Sequence, residues 1–233
     1  MEDLFYQFVE KPESQGETDH RTIFVDGTKL ESRAGRYSFV WRKSVEKQLE
    51  KVKAEVEEST GCRDLAQLRS WLEISAANTV FVHGSGKRKS VEQTQWERLN
   101  SLQERWERYA HSLSVMGKER NSYSKTDEDA TFMRLKEDHM RNGQLKPAYN
   151  VQIGVNSEYM TGIDLFSDRN DVKTLRPFLH RMEQFHQTRY EEVVADAGYE
   201  SLENYLYLDS TGQTCFIKPT NHDQKKKKNF NPY

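Results

Sequence analysis

Cysteine is scarce in this sequence. Cys62 and Cys215 are its two thiols, too few for a disulfide framework or a thiolate zinc site. Long apolar runs are also missing: no stretch approaches the roughly 20 residues a membrane helix needs. The acidic, mixed N-terminus lacks the basic-then-apolar pattern of a signal peptide. These absences predict a protein of the reducing cytoplasm with no membrane partner. Apolar residues fill only 35% of the 233 positions and charged ones 31%, a polar balance for a compact globule. Against disorder stand 11 Tyr, 11 Phe and 4 Trp, which carry enough bulky apolar surface for a core. The length allows one large domain or one domain with a sizeable insertion. The formal net charge of −2 hides local clusters of one sign.

Periodicity divides the chain. Residues 1–20 lack a pattern and read as a loose lead-in. Thr22 to Leu30 is β-rich, and Arg36 to Trp41 reads as a second short strand-like segment. Val45, Leu49, Val52 and Val56 then step by helical intervals, as do Leu99, Leu102, Trp106, Tyr109, Leu113 and Met116. Both runs predict amphipathic helices with a coiled-coil-like seam. A shorter helix is expected over Asp64 to Ile74, and Val80 to Lys89 reads as a turn of strand followed by a glycine-broken basic loop. Residues 42–118 are thus expected to form a helical insertion, a hairpin of long helices. Period-two alternation returns at Tyr149 to Val155, with a partner strand at Tyr159 to Phe166. A helix over Val172 to His186, a strand at Glu192 to Tyr199, a helix capped by Ser201 and a strand at Thr214 to Lys218 follow. That order predicts an α+β fold in which a mixed sheet is flanked by helices, built from 21–41 and 119–220. Residues 221–233 read as a basic polar tail.

Asp26 and Asp196 are the residues on which chemistry would rest. Each follows three apolar or small residues of a strand, and each is followed within two positions by glycine, Gly27 or Gly198. A carboxylate inside an apolar strand is costly unless a cation or donors compensate it. Two on neighbouring strands would repel each other, and a divalent ion between them removes that repulsion. Oxygen-only ligands suit Mg²⁺ or Mn²⁺, and paired ions about 4 Å apart serve in-line phosphoryl displacement. The two carboxylates are expected within about 6 Å of each other on adjacent strands. Each Asp also fits ordinary turn chemistry, in which Asp-Gly is common.

Four separated segments, taken in order, carry a resemblance. They are Thr22-Ile23-Phe24-Val25-Asp26-Gly27-Thr28-Lys29-Leu30-Glu31 with Tyr37 to Ser44, Arg120 to Met133, Tyr149-Asn150-Val151-Gln152, and Val194 to Asn204. Together they resemble bacterial insertion-sequence transposases of the DDE class. The resemblance implies an RNase H-like fold, an acidic set working on Mg²⁺ (or Mn²⁺), and Asp26 and Asp196 as the first two acids. It implies cleavage at transposon ends and strand transfer into target DNA, with a full-length transposase or a second copy as a possible partner. The third acid, a Glu on a later helix, has no counterpart before Tyr233. Glu200 and Glu203 lie too close to Asp196 to replace it, so the chain is expected to be inactive alone.

Basic clusters are the expected DNA contacts: Arg36, Arg42 and Lys43 after the first acid, Lys87, Arg88 and Lys89 beside the glycine-broken loop, and Lys225, Lys226, Lys227 and Lys228 near the end. Such clusters hold phosphate without reading bases, although charge runs are also ordinary solvated surface. Asp127 and Asp129 read as a solvated turn and cap before a helix around Phe132 to Met140. His83 and His139 have no second ligand at metal spacing. Two rival functions remain open. One is a non-catalytic regulator acting through the helical insertion, and the other is a metal-dependent nuclease of the same fold.

Overall fold

The computed structural model of the chain describes residues 2–35, 37–84, 88–135 and 143–221. Two compact units result: Met1–Arg36 with Asp129–Tyr233, and Tyr37–Glu128.

The first unit is built on a six-stranded sheet. β1 (Thr22–Glu31) lies at its centre. On one side β1 pairs antiparallel with β5 (Lys146–Asn156), and β5 pairs antiparallel with both β4 (Thr131–Met133) and β6 (Tyr159–Phe166). On the other side β1 pairs parallel with β7 (Glu192–Ala195), and β7 pairs parallel with β8 (Thr214–Ile217). This mixed sheet, with α1 (Glu2–Ser14), α5 (Leu175–His186) and α6 (Leu202–Ser210) in the same unit, is an RNase H-like α+β fold.

Strand alternation decides which side chains meet the helices. Along β1, Ile23, Val25 and Gly27 are buried, while Phe24, Asp26 and Thr28 are exposed. Ile23 and Val25 join Val193 and Ala195 of β7, Leu175, Phe178, Leu179 and Met182 of α5, and Leu208 of α6 in one core. A fully buried aliphatic of this kind contributes about 1.5–3 kcal/mol. The opposite sheet face is open, with Phe24 54% and Phe216 52% exposed.

The second unit holds three helices, α2 (Arg42–Thr60), α3 (Leu65–Asn78) and α4 (Val91–Met116), with a small ribbon in which β2 (Phe39–Trp41) pairs antiparallel with β3 (Ser122–Ser124). Gly61 in the left-handed conformation ends α2, Asp64 caps α3 through the Gln67 N–H, and Ser90 caps α4 through the Gln93 N–H. The helical steps of the sequence become the interior: Leu49, Val52 and Val56 of α2, Leu68 and Leu72 of α3, and Leu99, Leu102 and Trp106 of α4 form one cluster.

Several expectations need correction. Residues 1–20 are not a loose lead-in, because Glu2–Ser14 is helical and buries Tyr6 and Val9. Of the helix expected around Phe132 to Met140, Phe132 and Met133 belong instead to strand β4, whose three residues are all buried, and residues 136–140 lie outside the described residues. Val80 to His83 forms no strand. The helical unit also runs from residue 37 to 128, wider than 42–118, because the β2–β3 ribbon belongs to it.

Candidate catalytic site at two parallel strand ends

The parallel register of β1 and β7 runs from Thr22 opposite Glu192 to Val25 opposite Ala195. The next positions along this register are Asp26, still inside β1, and Asp196, the residue just past the end of β7, so the two occupy neighbouring places on the sheet. Both residues are exposed. The burial cost expected for a carboxylate inside an apolar strand therefore does not arise, since alternation turns Asp26 towards the open face that also carries Phe24.

Each carboxylate is held by the glycine that follows it. Asp26 Oδ1 accepts from Gly27 N at 2.8 Å, and Asp196 Oδ1 accepts from Gly198 N at 2.8 Å. Gly27 is an interior residue of β1 and Gly198 lies in a short 3₁₀ turn, and each hydrogen bond orients one carboxylate oxygen. Among the described residues no Lys or Arg pairs with either acid. The second oxygen of each is thus available to a cation. An exposed, oxygen-only, oriented donor pair fits a hard divalent ion that keeps some of its water.

Directly behind this edge, on the core face, lies a buried polar network. The Tyr199 hydroxyl donates to Gln152 Oε1 at 2.5 Å, and Gln152 Nε2 donates to Asn150 Oδ1 at 3.0 Å. Asn150 Nδ2 donates to Asp171 Oδ1 at 2.7 Å, and Asn204 Nδ2 ties the Tyr199 and Val172 carbonyls together. Gly27 is what lets the network approach β1. A methyl group there would stand 2.6 Å from Gln152 Nε2, 2.9 Å from Asp171 Oδ1 and 3.0 Å from the Tyr199 hydroxyl. At Gly198 a Cβ would meet both Asp196 Oδ1 and Asp171 Oδ2, so these two carboxylates border the same small space. Burial first, then the nearby Asp171, Asp26 and Asp196 carboxylates, hold the Tyr199 phenol well above its ordinary pKa and keep it a neutral donor.

Sequence reading missed Asp171 and the roles of Asn150, Gln152 and Tyr199. The signal was polar side chains at inward positions of an alternating strand. Asn150 and Gln152 sit two apart in β5 and both are fully buried.

The expected DNA contacts divide. Arg42 is committed inside its own unit: Nε donates to the Arg120 carbonyl at 2.9 Å, Nη2 donates to the Gly117 carbonyl, and Nη1 lies 3.5 Å from Glu46. Lys89 pairs with Glu97 at 2.6 Å. Lys43 and Arg88 are exposed. Arg36, Lys87, Lys225, Lys226, Lys227, Lys228 and His139 lie outside the described residues. Glu200 is also committed, since its Oε2 accepts from Thr220 N at 2.6 Å and from the Thr220 hydroxyl.

The mixed sheet, in which β1 pairs antiparallel with β5 and parallel with β7, defines an RNase H-like class of protein. Residues 120–233, just under half of the chain, match the family described as the transposase DDE domain. The match contains Asp196, Asp171 and the buried network; Asp26 precedes it. Transposases of this family act on DNA and use divalent metal ions. No curated protein and no solved structure matches the chain. Among the described residues, no helix is long and apolar enough to cross a membrane.

Proposed function

We propose that Asp26 and Asp196 form the metal-binding edge of a DNA transposase that works in the cytoplasm, cleaving transposon ends and transferring the freed strands. The observation that supports this reading is the register of β1 and β7, whose next positions are Asp26 and Asp196, both exposed and each accepting one backbone N–H. Mg²⁺ or Mn²⁺ bound there would supply activation of the attacking oxygen and stabilisation of the leaving oxygen. The protein's own part is to orient one oxygen of each carboxylate through Gly27 and Gly198. The neutral phenol of Tyr199 braces Gln152 behind them. Arg88 and Lys43 offer exposed charge to phosphate.

Two of the three acids of a DDE site are assigned in this reading, and Glu200 is occupied elsewhere. These residues by themselves are therefore expected to bind the ion and DNA without cleaving DNA. The alternative of a regulator acting through the helical seam is disfavoured, because Leu49, Val52, Leu99, Leu102 and Trp106 are buried against one another within the unit.

The test is incubation with plasmid carrying the DNA that flanks the gene, in Mg²⁺ or Mn²⁺. No cleavage by the chain alone, with ion-dependent DNA retention that weakens in Asp26→Asn and Asp196→Asn, is the expected result. Hydrolysis without joining would favour the nuclease reading. Robust cleavage that survives Asp196→Ala would contradict the proposed site.

A further inference from the structure

A second cluster of ligand-type side chains lies in the sheet unit, built from residues separate from the carboxylate edge. Glu13 comes from the last turn of α1, His20 from the turn before β1, and His186 from the last turn of α5. One side-chain donor atom from each lies within 4.8 Å of those of the other two. His186 Nδ1 is 2.6 Å from Glu13 Oε1, and His20 Nε2 is 3.5 Å from the same oxygen. The His186 side chain is only 3% exposed.

The hydrogen bonding around these groups is incomplete in a telling way. His186 Nε2 lies 3.0 Å from the Thr161 carbonyl, which can only accept, so that nitrogen carries the proton. Nδ1 faces Glu13 Oε1, as an ion-pair donor when it carries a proton and as a lone pair open to a metal ion when it does not. A backbone carbonyl fixing the far nitrogen is the usual outer support of a metal-ligating histidine. Among the described residues, three buried side-chain polar atoms make no hydrogen bond: Thr18 Oγ1, His20 Nδ1 and Glu13 Oε1, the last of which has the two imidazole nitrogens as ion-pair neighbours. All three fall within residues 13–20, and two belong to the cluster. Buried unsatisfied atoms gathered in one place call for an ion or water. His20 is held at φ 52°, a left-handed conformation that a non-glycine residue adopts at a cost. The Tyr190 ring lies 5.4 Å from His20, and Tyr6 meets His186 edge-on at 6.2 Å.

We propose that Glu13, His20 and His186 bind a divalent transition-metal ion of the zinc class. Two imidazoles and one carboxylate favour Zn²⁺ over Mg²⁺, in contrast to the oxygen-only pair at Asp26 and Asp196. Bonds of about 2.0–2.2 Å place tetrahedral ligand atoms roughly 3.3 Å apart. The 3.5 Å separation already suits that geometry, and the 2.6 Å contact widens on loading. The fourth position is left to water. The ion would tie α1, the entry to β1 and the end of α5 together, so its role is structural.

The test uses the full chain without a polyhistidine tag, stripped with EDTA and titrated calorimetrically with Zn²⁺, and with Co²⁺ as a spectroscopic probe. Expected are one high-affinity Zn²⁺ equivalent, a tetrahedral Co²⁺ absorption band and a raised Tm, with no comparable Tm rise from Mg²⁺. Glu13→Gln and His20→Gln should each weaken Zn²⁺ by at least about 10-fold while the far-ultraviolet circular dichroism stays unchanged. Asp26→Asn should leave Zn²⁺ binding intact, which separates this site from the proposed catalytic edge. Absence of stoichiometric Zn²⁺ binding, or binding indifferent to both cluster substitutions, would overturn the proposal.

Discussion

In the helical unit, charge stays at the surface: Arg98 pairs with Glu55 and Arg69 with Glu107 in exposed contacts. Its interior is mostly aliphatic and aromatic, with Gln93 as a buried exception that bonds both backbone groups of Val82. The sheet unit is arranged otherwise. Asn150, Gln152, Asn156, Thr161 and Asn204 are all buried there, and a chain of hydrogen bonds runs from Tyr199 to Asp171 beneath the two carboxylates. A buried polar network is expensive unless every member is satisfied, and when satisfied it fixes a unique geometry. The contrast separates a unit whose sequence serves packing from one whose interior also positions chemistry.

Trp106→Ala is the severest way to break the comparison. Trp106 is 5% exposed at the centre of the helical cluster. Its loss should cost about 3–5 kcal/mol in urea unfolding of that unit, while divalent-ion binding at the carboxylate edge persists. Gly27→Ala reverses the pattern. The new methyl group would strike Gln152, Asp171 and the Tyr199 hydroxyl, at a cost of about 1–3 kcal/mol. The larger effect should be on ion affinity, because a shift of residue 27 moves the backbone N–H that holds Asp26 Oδ1. Calorimetry of both variants, compared with their unfolding curves, would reveal whether the two properties separate.

A gentler probe is alkaline pH. Burial pushes the Tyr190 phenol from 10.0 up to about 12 in the folded protein. The folded state thus holds this proton more tightly than the unfolded chain does. The associated stability is fully present below pH 10 and is lost as pH rises towards about 12, by roughly 2 kcal/mol. Tyr190→Phe should remove that share of the alkaline fall in Tm, at the price of the hydroxyl's bond to Thr161.

The same contrast explains what could be read in the sequence. The interior of the helical unit is local information. Leu49, Val52 and Val56 recur at helical spacing, and so do Leu99, Leu102 and Trp106, so α2 and α4 were legible without the fold. The strands β1, β5, β6, β7 and β8 were legible from alternation or short apolar runs, and a glycine one or two positions on marked both acids. Helix α1 escaped because its apolar residues face both ways: Tyr6 and Val9 are buried, whereas Leu4 and Phe8 are 69% and 72% exposed. Strands β3 and β4 have three residues each, too short for a period to register. Asp171 and the Glu13–His20–His186 cluster escaped for another reason. Their members are far apart in sequence, and only the docking of α1, α5 and the sheet brings them together.

The central claim, that Asp26 and Asp196 jointly bind one divalent-ion site, is tested most directly by Mn²⁺ titration followed by electron paramagnetic resonance. A Glu13→Gln background keeps the histidine cluster from contributing. Saturable binding that is lost in both Asp26→Asn and Asp196→Asn is the predicted result. Binding that survives either substitution undiminished, or no binding by the unsubstituted pair, would contradict it.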